Sequence, residues 1–185
     1  MIWLSNSTLQ RLIDQLRERG QRPSIALPRG ASPELAEGLT ISAEYGALTE
    51  AMYLMMSADG HVSADEREVL RGALRALSTD TVRSVHIESL LDSAAKRVAE
   101  HGREARMAEV ISQLSDDPAR AEVAFVLAAA IAFADNAIAD QENDTLNELA
   151  EGLGIDETRA TALLDGVEAD LAARRPSNAP SDATS

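Results

Sequence analysis

An apolar helix that ends at an Asp, a tight turn, and a polar helix starting a few residues on: the chain carries this unit twice. The first copy is Met52–Leu77, centred on Ala58-Asp59-Gly60-His61-Val62-Ser63-Ala64-Asp65-Glu66. The second is Ala128–Leu153, centred on Ala134-Asp135-Asn136-Ala137-Ile138-Ala139-Asp140-Gln141-Glu142. One register aligns them, matching Asp59 with Asp135, Val62 with Ile138, Glu66 with Glu142, Leu70 with Leu146 and Leu77 with Leu153. The runs ahead of the turns, Ala51–Met56 and Val123–Ile131, are apolar on nearly every side, which suits helices enclosed by other helices. Two such helices in 185 residues predict one globular bundle built around the pair, an internal duplication with pseudo-two-fold symmetry. Two copies are too few for a solenoid.

Composition agrees with an all-α fold. Hydrophobic residues make up 45% of the chain but aromatics only 3%, so the core is Ala, Leu, Val, Ile and Met, which suits closely packed helices. Arg and Lys number 17 against 31 Asp and Glu, a formal charge of −14. That charge, with no basic cluster, argues against nucleic acid and anionic membrane surfaces and favours cations and basic protein partners. The absence of cysteine excludes disulfides, thiolate catalysis and Cys-ligated zinc. No basic region precedes a long apolar core at Met-Ile-Trp-Leu-Ser, so no signal peptide is expected. The longest apolar run, Val123–Ala134, falls short of the about 20 residues of a membrane span. A cytoplasmic protein is the expectation.

Periodicity and capping signals predict about eight helices. Ser5, Asn6 and Ser7 offer caps for a first helix with Leu9, Leu12, Ile13 and Leu16 on one face, ended by Gly20. Ser32-Pro33 starts a short helix stopping near Gly38, and Ser42 caps the central one, in which Gly46 signals a close helix crossing. Ser63-x-x-Glu66 is a capping box for the next. Ser78 or Thr79 caps a helix with Val82, Val85, Ile87, Leu90, Leu91, Ala94 and Val98 inward, ending near His101-Gly102. Glu104–Leu114, Pro118–Ala134, a helix from Ala139 or Asp140 to Leu153, and a last one capped by Asp156 complete the set. This divides the chain into a 1–41 N-terminal helix and connector, a 42–172 helical domain, and a 173–185 tail without apolar periodicity, expected to be disordered.

The pattern over Leu54–Leu74, an apolar run, Ala-Asp-Gly, a small apolar residue and a Glu on a new helix, repeated over Leu127–Ile155, resembles the TerB-like family. This all-helical domain is named from bacterial tellurite-resistance operons and is related to the N-terminal domain of DjlA-type co-chaperones. The resemblance spans about Ser42 to Leu171. It implies an all-α fold with internal pseudo-symmetry and a link to metal-associated stress responses. It also implies divalent-cation binding through acidic residues, with no common enzymatic activity. Carried onto this chain, the acidic positions are Asp59, Glu66, Asp135 and Glu142. Asn136 stands where Gly is usual, so the second turn is expected to be less regular.

The residues themselves support two readings of these positions. In each motif one carboxylate ends a helix and another lies in the first turn of the next. A tight hairpin would bring both to one point, with Asp65 and Asp140 as helpers and backbone carbonyls as further ligands. Oxygen donors of this kind suit Ca²⁺, Mg²⁺ or Mn²⁺. Alternatively the same residues are turn and capping residues, and the protein is a non-catalytic interaction module, co-chaperone-like or a scaffold, with an acidic surface for a basic partner. The spacing is not that of an EF-hand. His61 is weighed as a solvent-exposed turn residue, and Met52, Met55 and Met56 as core. No G-x-S-x-G, P-loop, dinucleotide loop or H-E-x-x-H occurs, so no enzymatic activity is expected. Apolar residues on the repeat helices could support a homo-oligomer.

Overall fold

The two helical stretches that are apolar on nearly every side, the second half of one helix and most of another, form the centre, because neither stretch has a face suited to water. The computed structural model describes residues 4–18, 26–60, 62–134 and 140–174. They form α1 (Asn6–Glu18), α2 (Pro33–Met56), α3 (Ala64–Leu77), α4 (Ser84–His101), α5 (Arg103–Leu114), α6 (Pro118–Ala132), α7 (Asp140–Gly152) and α8 (Glu157–Arg174), with no strand among the described residues. In α6 every residue from Ala121 to Ala132 except Glu122 is buried. In α2 the same holds from Tyr45 to Met56 except Gly46 and Tyr53. α2 and α6 pack on each other; α4 and α5 cover α2, α1, α7 and α8 cover α6, and α3 touches both. A single apolar cluster results, with Phe125, Met52, Leu54, Met55 and Met56 among its most buried side chains.

Caps decide where the helices begin. Ser32 accepts a hydrogen bond from the Leu35 N–H at 3.2 Å, with Pro33 in the first turn. Asp117 does the same for α6, accepting from Arg120 N–H at 3.2 Å ahead of Pro118. Asp156 accepts from Arg159 N–H at 2.9 Å at the start of α8.

Three local expectations change. The short helix stopping near Gly38 and the helix capped by Ser42 are one continuous α2, because Gly38 in a helix interior costs only about 1 kcal/mol and no proline intervenes. Gly46 does not mark a close crossing: a Cβ there would meet only Ser42 Oγ at 3.7 Å. Gly152 does permit a close approach, since a Cβ there would collide with Ile111 of α5. The helix after α3 starts at Ser84, because Ser78 holds a turn instead. Its hydroxyl accepts from Val82 N–H at 3.2 Å, and Thr79 and Asp80 take left-handed φ values of 50° and 61°. Val85 is consequently 63% exposed and does not face the core. The expected 173–185 tail lies, from residue 175, outside the described residues.

Candidate functional site

The turn between α2 and α3 carries the first acidic motif. α2 stops at Met56, and Gly60 takes φ 81°, a conformation that only glycine adopts at small cost. Two of the last carbonyls of α2 are already engaged: Tyr53 C=O accepts from Ser57 N–H and from Ser57 Oγ–H, and Met55 C=O accepts from Ala58 N–H. Asp59 sits in this turn with its side chain exposed.

Glu66 is placed differently. It occupies the third position of α3 and is only 5% exposed. Its Oε2 accepts from Ser63 N–H at 2.6 Å, while Ser63 Oγ accepts from Glu66 N–H at 3.1 Å. This is the reciprocal capping box expected from Ser-x-x-Glu. The partial positive charge at the start of α3 further favours a carboxylate there. Asp65, beside it, points to solvent.

In the second motif, Glu142 holds the third position of α7 and is 6% exposed, close to the burial of Glu66. Asp140 begins α7 and is exposed. Asp135 lies outside the described residues, as does His61. Among the described residues, no three of His, Asp or Glu gather closely enough to hold a metal ion. The donor chemistry, carboxylate oxygen without thiolate, fits a hard cation; the described donors alone do not complete a coordination shell.

A buried ionic cluster elsewhere has no counterpart in the sequence reading. Glu50, inside the apolar part of α2, is 3% exposed. Its Oε1 accepts from Arg106 Nε at 2.7 Å, and its Oε2 accepts from Arg106 Nη2 at 3.1 Å and from Arg97 Nε at 2.9 Å. One carboxylate thus ties α2 to both α4 and α5. The available signal is an acidic residue within an otherwise apolar helical run. Its partners, 47 and 56 residues away, carry no local pattern. A second cluster joins α6 to the chain ends: Glu122 accepts from Arg159 Nε at 2.7 Å, from Arg159 Nη2 at 2.7 Å and from Gln15 Nε2 at 2.9 Å. The Arg159 hydrogen bond, more than any other contact, holds the Glu122 carboxyl below the usual carboxylate range.

An all-α bundle around two enclosed helices, with an acidic turn following the first, defines the class of the protein. The family model described as tellurite resistance protein TerB matches residues 46–164, well over half of the chain, and the chain belongs to that family. No curated protein and no solved structure matches it. No described helix is long and apolar enough to cross a membrane.

Proposed function

We propose that the protein is a non-catalytic module that binds a hard divalent cation (Ca²⁺, Mg²⁺ or Mn²⁺) through the acidic motifs of Asp59 and Glu66 and of Asp135 and Glu142. The role would be in a tellurite- or metal-stress response, as the family description suggests. The observation that carries this reading is the matched burial of Glu66 and Glu142. Burying a carboxylate is costly, and both copies hold one at the same place, the third position of the helix that follows the turn. The second copy keeps Glu there although Ala139 stands where Ser63 does in the first. A carboxylate retained at the same place in both copies supports a shared role for the two motifs. A bound cation would supply charge neutralisation to the carboxylates and would brace the helix-to-helix turns.

One observation favours a second reading. The 2.6 Å bond from Ser63 N–H to Glu66 Oε2 already gives that carboxylate a structural use. On this reading the motifs only cap helices, and the acidic surface recruits a basic protein partner.

Calorimetric titration with each of the three ions separates the two, run on the wild type and on the Asp59→Ala/Asp135→Ala double variant. Saturable binding lost by a variant that stays folded supports the cation site. Flat titrations with all three ions leave the motifs as caps and sink the cation reading.

A further inference from the structure

α1 lies outside the family match, which begins at residue 46, yet it is seated on the matched domain. Its apolar residues Leu9, Leu12, Ile13 and Leu16 fall at the i, i+3, i+4, i+7 spacing with which amphipathic helices fill grooves. Leu12 is 1% exposed and Ile13 is buried; Leu9 and Leu16 pack at the edges of the core. The other face, Gln10, Arg11, Asp14 and Arg17, is exposed. The seat is formed by α3 and α6. Two carboxylates flank it and hold the helix by polar contacts. Glu122 of α6 accepts from Gln15 Nε2 at 2.9 Å, and Asp170 of α8 accepts from Ser5 N–H at 3.0 Å, just ahead of the first turn.

We propose that the α3–α6 surface is a receptor for a short amphipathic helix, occupied in the resting protein by the chain's own α1 as a displaceable cover. The geometry defines what displaces it: a helix with apolar residues at i, i+3, i+4 and i+7, an amide or cation facing Glu122, and a backbone N–H ahead of its first turn facing Asp170. A basic polar edge is favoured, since carboxylates rim the seat and the whole chain carries −14. Residues 19–32 separate α1 from α2 in the sequence, so α1 stays tethered to the domain when it is off its seat. Tethering gives α1 an effective concentration in roughly the millimolar range, so a competitor must bind its seat well or meet a weakened α1. The inference is independent of the cation reading, because none of its residues belongs to the acidic motifs.

The test uses the full chain. A fluorescent peptide of residues 4–18 is titrated into the wild type and into the Leu12→Ala/Ile13→Ala variant, in which the resident helix is weakened. Folding of the variant is followed by far-ultraviolet circular dichroism and its melt. The expected result is saturable binding to the folded variant at least tenfold tighter than to the wild type, abolished in a peptide carrying Leu12→Asp and Ile13→Asp. Equal binding to both proteins would place the peptide elsewhere, and a folded variant that binds no peptide would leave the seat without receptor character; either overturns the proposal. So does a variant that loses its fold, because α1 would then be an indispensable part of the core.

Discussion

Glu50 illustrates how much one residue can decide in an apolar bundle. At 3% exposure its carboxylate is compensated by three guanidinium N–H groups that point at its two oxygens. Glu50→Ala would remove the acceptor and leave two cations facing each other between α4 and α5. Arg97 is one-third exposed and relaxes into water, whereas Arg106 has less freedom. The expected loss is about 3 kcal/mol, at the lower end for a broken buried pair, read as a lower urea midpoint with an unchanged slope. Ser63→Ala should cost less, about 1 kcal/mol, because Glu66 can still reach the Ser63-position N–H when the hydroxyl is gone. A thermal melt checks it, and a drop of several kcal/mol would mean that Ser63 does more than cap. The capping box was legible in the sequence because its two bonds close within four residues. The Glu50 cluster was not, because its partners are brought in by helix packing.

At the scale of elements, the contact between α5 and α7 depends on one missing side chain. Gly152 lets Ile111 lie against the α7 backbone, and an added Cβ would meet three carbon atoms of that side chain. Ile is branched at Cβ and has few ways to turn aside. Gly152→Ala is therefore expected to destabilise the fold by about 1–3 kcal/mol, although alanine is the better helix former. Adding Ile111→Ala should recover part of that loss, a sign of non-additivity that denaturant unfolding of both single variants and the double variant would reveal. Independent, additive losses would refute the collision. Sequence reasoning selects Gly46 for a close crossing, since glycine inside an apolar helix is the usual signal. Which glycine meets a neighbour depends on how helices rotate about their axes, and no local pattern records that.

At the scale of the whole molecule, Glu122 joins the two ends of the chain to the centre, receiving Gln15 of α1 and Arg159 of α8 on α6. Its pKa is lowered in the folded protein, chiefly by the Arg159 hydrogen bond, from an ordinary value of 4.5. A lowered carboxylate stabilises the fold fully above its unfolded value and loses that contribution as pH falls through the folded one. The melting temperatures of wild type and Glu122→Gln should differ above pH 4.5 and converge as the pH falls through the lowered folded value. A difference that stays constant down to strong acid would show that charge at Glu122 plays no part. Sequence alone determined the all-α class, the enclosed second half of α2, the enclosed α6 and the capping box, because helix period, all-round hydrophobicity and capping act within a few residues. Tertiary structure alone decided that α2 runs unbroken from Pro33, that Val85 faces water, that Glu50 meets two arginines and that α1 caps α6. These depend on which helix faces meet, a choice made by the burial of the whole apolar surface at once, and so they are carried by no single stretch of the chain.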